Sequence, residues 1–326
     1  MDNLSFEEAL ALTEIPDNSI DELAAIANSI RSEFSADKID LCSIINARSG
    51  KCSEDCKFCT QSSRYKTSPP TYPMKTVEEI VDAAEKSETN GAHRFCIVTS
   101  GSQLNDKDFK IALEAISQIK ENTSLFRCAS LGKLTKKRAR DLKEAGLNRY
   151  HHNLETARSF FAEVCSTHTY DEKIQTIKYL QEAGIEVCSG GILNLGESPK
   201  QRIEFAFELK NLNPVSVPIN FLNPRPNTPL ANRKKIGALE AAKYLAIFRL
   251  ILPKAYIRLA GGRSETFGEN LELPFNAGVN ALLIGDLLTT KGPESAKDIT
   301  LLKSMGFSVH SHFTRADTGV RPYSNE

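Results

Sequence analysis

The sequence lacks a charge of one sign. Forty-one basic and forty-one acidic residues cancel over 326 positions, so no global field draws the chain to nucleic acid or to an anionic membrane surface, and both are excluded as partners. No run approaches the eighteen or so apolar residues of a membrane span. The first residues, Met-Asp-Asn-Leu-Ser-Phe-Glu-Glu, are acidic where an export signal needs a basic stretch and an apolar one. There is also no second Cys-x-x-Cys pair, with or without histidines, of the kind that builds zinc fingers and ribbons. With eight cysteines, half of them single in apolar, strand-like runs, a secreted disulfide scaffold is disfavoured and a reducing, cytoplasmic setting is expected.

What the sequence does have is Cys52-Ser53-Glu54-Asp55-Cys56-Lys57-Phe58-Cys59. Three thiolates within eight residues can bind one metal centre from a single loop. An iron-sulfur cube has four irons, so three cysteines leave one iron open to a small molecule. Structural zinc remains the alternative for such a cluster.

Around this loop the chain alternates short β-branched runs with amphipathic helices. Ser5 with Glu8 and Ser19 with Glu22 have capping-box spacing, and Pro16 breaks the chain between them. Leu23, Ile26 and Ile30 give the second helix an apolar face, and a lid over one end of the main domain is its expected role. Strands are expected at 39–45, 95–99, 125–129, 148–153, 186–190, 215–222, 256–260 and 281–284. Thr76 with Glu79, Thr135, and Ser198 with Pro199 open helices between them. Glu-Ala-Gly recurs at 144–146 and 182–184 as a helix stop. The seventh helix is spoiled by Gly268 and Pro274. Eight such units imply an α/β fold, a (β/α)8 TIM-type barrel with an N-terminal helical extension, although two weak units would also suit an open partial barrel. The domains read as an extension over 1–38, the barrel over 39–306 and a mobile tail over 307–326.

In a barrel, inward side chains from distant strands share one cavity. Cys96, Cys128 and Cys188 fall on the second, third and fifth strands, and Arg258 on the seventh. One such cysteine alone packs as a small buried hydrophobe; three together could hold a second cluster. His151 and His152 are adjacent on a strand, so only one is expected to point inward.

Cys-x-x-x-Cys-x-x-Cys with an aromatic, Phe58, before the third cysteine resembles the signature of the radical S-adenosylmethionine enzymes. The resemblance extends to the biotin synthase family over roughly residues 39–306. It is carried by Arg94-Phe95-Cys96-Ile97-Val98-Thr99-Ser100-Gly101, Tyr150-His151-His152-Asn153-Leu154-Glu155-Thr156, Val187-Cys188-Ser189-Gly190-Gly191-Ile192, Val217-Pro218-Ile219-Asn220-Phe221-Leu222-Asn223-Pro224 and Arg258-Leu259-Ala260-Gly261-Gly262-Arg263. It implies a 4Fe-4S cluster on Cys52, Cys56 and Cys59 whose free iron chelates S-adenosylmethionine. It implies a 2Fe-2S cluster on Cys96, Cys128, Cys188 and Arg258, although a protonated guanidinium is an odd ligand. Phe58, Asn153, Glu155 and Ile192 are then cofactor-binding residues, with Asn153 and Glu155 at the ribose and Ile192 near the adenine. His151, Asn153 and Asn220 are the substrate contacts, the two asparagines facing the ureido ring. The same asparagines could instead satisfy loop backbone.

The resemblance further implies dethiobiotin as substrate, a flavodoxin or ferredoxin as electron donor, and a homodimer. This sequence departs from the family pattern in three places. His151 stands where some members have asparagine, Glu155 where an aspartate is usual, and Asn227 where glycine is common. Cys42 and Cys165 match no ligand and read as packing residues. Two rivals stay open at this point, another barrel-type radical enzyme with a different substrate and a non-catalytic iron-sulfur protein.

Overall fold

The computed structural model describes residues 4–309 except 269. Nine parallel strands form a single sheet: β1 (Asp40–Arg48), β2 (Arg94–Thr99), β3 (Phe126–Ser130), β4 (Arg149–His151), β5 (Glu186–Cys188), β6 (Gly191–Leu193), β7 (Ser216–Phe221), β8 (Tyr256–Leu259) and β9 (Ala281–Leu283). β1 pairs with both β2 and β9, while β5 and β6 both pair with β7. The sheet therefore closes, with β5 and β6 as two halves of its fifth strand, into the eight-stranded barrel. The open partial barrel is ruled out.

The fifth strand is divided because of its neighbour. Pro218 lies in the middle of β7, has no N–H to give, and stands beside Gly190, so the ladder lapses there. The Gly190 carbonyl turns to the other side and accepts from the N–H groups of Leu154 and Glu155, at 3.0 and 3.2 Å. A side chain on Gly190 would put Cβ 2.0 Å from the Pro218 carbonyl oxygen. Only glycine fits.

Local signals explain several helices. Capping boxes form at Ser5, Thr76, Thr169 and Ser198, and Thr135 accepts from the N–H of Arg138. Gly146 and Gly184 end their helices at φ +96° and +66°, a region where a Cβ is strained. Asn227 takes the positive φ expected of it, +64°.

Three expectations about the periphery fail. Ser19 makes no side-chain cap, because Asp17–Ser19 is a 3-10 turn that runs directly into the helix Ile20–Ser35 and leaves Ser19 helical. Ile26 is 49% exposed; the buried stripe of that helix is Leu23, Ala24, Ala27 and Ile30. Nor is this helix a lid. It packs along the outer helices Ala238–Ile251 and Glu272–Asn276, and Lys243 Nζ donates to the Thr13 carbonyl at 2.9 Å. The short pieces Arg263–Phe267 and Glu272–Asn276 occupy the expected weak seventh helix.

Most of the tail expected to be mobile, from residue 310, lies outside the described residues. Its first residues are fastened. Phe307 packs against Phe275, and the Ser308 N–H donates to the Asp37 carbonyl. No described helix is long and apolar enough to cross a membrane.

Candidate metal centres inside the barrel

A cavity of about 500 Å³ occupies the barrel interior and its upper mouth. Its lining includes Cys52, Cys56, Phe58, Cys59, Cys96, Cys128, His151, Asn153, Glu155, Cys188, Ile192, Asn220 and Arg258. Every site residue expected from the sequence thus faces one space. They fall into two tiers.

The upper tier is the loop that follows β1. Cys52 is clamped on both sides, its N–H to the Gln61 carbonyl at 3.0 Å and its carbonyl receiving the Ser63 N–H at 2.8 Å. Gln61 Oε1 accepts from Ser49 Oγ and from the Gly50 N–H. The far end is clipped to the segment after the helix Arg158–Val164: the Lys57 N–H donates to the Val164 carbonyl at 3.0 Å, and Asp55 Oδ1 accepts from the N–H groups of Ser166 and Thr167. These bonds hold three half-buried thiols on one concave turn. Burial pushes the Cys59 thiol up to about 11. Phe58 and Ile192 belong to one apolar patch with Leu195 and Leu222 beside the loop. Glu155 sits at φ +74°, held by its N–H to Gly190 and by the Ile192 N–H donated to its carbonyl.

The lower tier is built by the strands. Cys96 and Cys128 are register neighbours on β2 and β3, and Cys188 on β5 pairs with His151 on β4, Sγ 3.5 Å from Nδ1. Cys42 on β1 joins them. It packs with Cys96 and Cys128, and its thiol donates to the Ser43 carbonyl at 3.6 Å. Of Cys42 and Cys128 the latter is the more acidic, lowered by the neighbouring Cys42 thiol against burial, with help from Arg94 and Arg149. Cys42, expected to be a packing residue, does pack, and against the lower thiols: four thiols from four strands meet here. Its place on an inward position of β1, two residues after Asp40, was the available signal.

Beneath the thiols lies a floor of buried charge. Asp40, fully buried, accepts from Arg94 Nε at 2.7 Å, Arg258 Nη2 at 2.9 Å and Arg149 Nη1 at 3.3 Å. Burial would raise its carboxyl, but the three guanidinium groups hold it far below the usual range. Arg149 also reaches Glu186 at 2.8 Å. The floor is net positive, which offsets charge on thiolates above it.

Arg258 is oriented by this floor as much as toward the cysteines, since Nη1 donates to the carbonyls of Asp40 and Leu282 at 3.1 and 3.0 Å. Asn153 and Asn220 each have backbone duties. Asn153 Oδ1 accepts from the Gly190 N–H and Asn220 Oδ1 from the Gly261 N–H, while Asn220 Nδ2 donates to the Gly191 carbonyl. Each amide keeps one N–H and one lone pair for a ligand. His151 and His152 both line the cavity, contrary to expectation, because β4 stops at His151 and strand alternation no longer governs the next residue. Burial keeps both imidazoles neutral at physiological pH.

Comparison with known proteins places this geometry. Residues 47–209 match the model of the radical SAM superfamily, and residues 218–308 that of the biotin and thiamin synthesis associated domain. The chain is 47% identical over 306 residues to the biotin synthase of Pelotomaculum thermopropionicum, covering 94% of this chain and 95% of that one. It is 48% identical to that of Desulforudis audaxviator, covering 94% and 93%. The chain belongs to the biotin synthase family of radical S-adenosylmethionine enzymes. That family uses S-adenosylmethionine with a 4Fe-4S cluster, and a 2Fe-2S cluster is characteristic of its biotin synthases. Solved structures of a methylornithine synthase (TM-score 0.82, 19% identity, 94% of each chain) and of the hydrogenase maturase HydG (0.80, 18%, 94% and 72%) share the fold.

The thiol sets fit both clusters. A three-thiol loop leaves one iron free, and the deeper thiols are soft, buried and charge-balanced.

Proposed function

We propose that this chain closes the thiophane ring of biotin by inserting sulfur between two unactivated carbons of dethiobiotin. The observation that carries the reading is the convergence of both thiol sets, together with Asn153, Glu155 and Asn220, on one cavity. Neither carbon bears an acidic hydrogen, so acid–base groups alone cannot begin the reaction. When bound, the 4Fe-4S cluster supplies the electron that cleaves S-adenosylmethionine, and the 2Fe-2S cluster supplies the sulfur.

In this reading Cys52, Cys56 and Cys59 hold the first cluster, and Cys96, Cys128 and Cys188 hold the second with Arg258 at its remaining position. Phe58 and Ile192 give the adenine an apolar wall, and Glu155 takes the ribose hydroxyls. The free amide groups of Asn153 and Asn220 suit a cyclic urea, which needs donors and acceptors together. His151, neutral and against Cys188, borders substrate and sulfur source. Around the thiols, Ile44, Val98, Ala260, Leu283 and Leu287 exclude water. A flavodoxin or ferredoxin as reductant, a homodimer and a cytoplasmic location complete the proposal; the likeness to the family and the eight free thiols support them.

The test is direct. Anaerobically reconstituted protein given dethiobiotin, S-adenosylmethionine and a reductant should yield biotin and 5′-deoxyadenosine. Formation of 5′-deoxyadenosine without biotin would leave only the generic radical chemistry.

A further inference from the structure

Two side chains next to the upper tier have no part in either cluster. Cys165 and His168 lie on the segment after the helix Arg158–Val164, and both face Cys56. Cys56 Sγ, Cys165 Sγ and a ring nitrogen of His168 all lie within 4.8 Å of one another. Cys165 Sγ is 3.3 Å from His168 Nδ1 and 3.1 Å from Asp55 Oδ1, and Glu54 Oε2 is 2.5 Å from the same nitrogen. With Zn–S near 2.3 Å and Zn–N near 2.0 Å, the edges of a tetrahedron are about 3.5–3.8 Å. The two thiols and the imidazole are thus already spread on the scale of one face of such a tetrahedron, and the carboxylates of Asp55 and Glu54 border it, one against Cys165 and the other against His168. Two sulfurs and one imidazole select a borderline-soft divalent ion over magnesium or calcium.

We propose that, in the chain lacking its first cluster, Cys56, Cys165 and His168 bind one divalent zinc-class cation, whose fourth position is left to water. Binding displaces the two thiol protons, and the imidazole, its proton shifted to Nε2, gives the metal the Nδ1 lone pair in place of its hydrogen bond to Glu54. The cation and the cluster both need Cys56, so each excludes the other. This second consequence rests on the assignment of Cys56 to the 4Fe-4S cluster; the binding itself does not.

Cobalt(II) reports the site by its visible spectrum. The full-length chain, stripped of iron under anaerobic conditions and carrying Cys96→Ser and Cys128→Ser to disable the deeper thiols, should take up one cobalt(II). Its spectrum should show thiolate charge transfer and the intense visible bands of a tetrahedral ion, and zinc should displace it. Adding Cys165→Ser or His168→Ala should weaken binding at least about tenfold, while Cys52→Ser and Cys59→Ser should leave the spectrum unchanged. A Cys165→Ser chain that titrates as its parent does, or a spectrum lost with Cys52→Ser, overturns the proposal, the latter by placing the metal on the cluster cysteines. Should Cys165→Ser misfold by circular dichroism, His168→Ala decides alone. In the otherwise native chain, one equivalent of zinc should slow cluster assembly from iron and sulfide, and Cys165→Ser should remove that sensitivity. Equal slowing in both would refute mutual exclusion while leaving the first titration to judge binding.

Discussion

Arg258 Nη2 donates to Asp40 Oδ2 at 2.9 Å, and the same oxygen also receives Arg94 and Arg149. One carboxylate therefore sets the direction of every cation beneath the lower thiols. Asp40→Asn would leave three buried guanidinium groups with only Glu186 as counter-charge. Removing one partner of a buried ion pair costs about 3–5 kcal/mol, and urea unfolding at neutral pH should show a loss of that order. The acid limb carries the sign. Because the folded carboxyl is depressed, its contribution is whole above the unfolded value near 3.9 and is lost as pH falls below it. The native chain should lose stability more steeply than Asp40→Asn below about pH 4, and parallel curves would count against this role.

Cys128→Ser should abolish biotin formation while leaving the absorbance and Mössbauer signature of the upper cluster in place. Iron and sulfide counts on the same sample should fall by the lower cluster alone. Biotin formed at the native level would remove Cys128 from the sulfur-donating set.

Cys42→Ala removes the thiol packed against Cys96 and Cys128. The electronic environment of the lower centre should change, visible as shifted absorption and Mössbauer parameters, with the upper centre untouched. Unaltered spectra would return Cys42 to the role of packing residue.

Gly190→Ala forces a Cβ to within 2.0 Å of the Pro218 carbonyl oxygen. Backbone cannot yield as a side chain can, so strain of about 1–3 kcal/mol is expected. The Gly190 N–H and carbonyl position Asn153 and Glu155, so the Michaelis constant for S-adenosylmethionine should rise as stability falls. A loss of stability without that rise would separate the two.

Much of this was legible in the sequence because the signals were local. Helix caps at Thr76, Thr135 and Ser198, the glycine stops at 146 and 184, and β-branched runs at fixed spacing are decided within a few residues, and they suffice for a barrel. The three-cysteine loop is equally self-contained. What escaped depends on several strands at once. Asp40, Arg94 and Arg149 looked like ordinary charges at strand starts until closure brought them under one floor. Cys42 looked single until β1 lay beside β2. Ile26 kept helical period and still faces outward, since period fixes a face but not what covers it. Family resemblance named the ligands, yet it did not reveal that Pro218 divides the fifth strand and thereby aims Asn153.

The clips that hold the cysteine loop, Lys57 to Val164 and Asp55 to Ser166 and Thr167, join protein to protein and owe nothing to iron. The curve of that loop is therefore set by the polypeptide itself, a mould into which a cluster is laid rather than a ribbon wrapped around one.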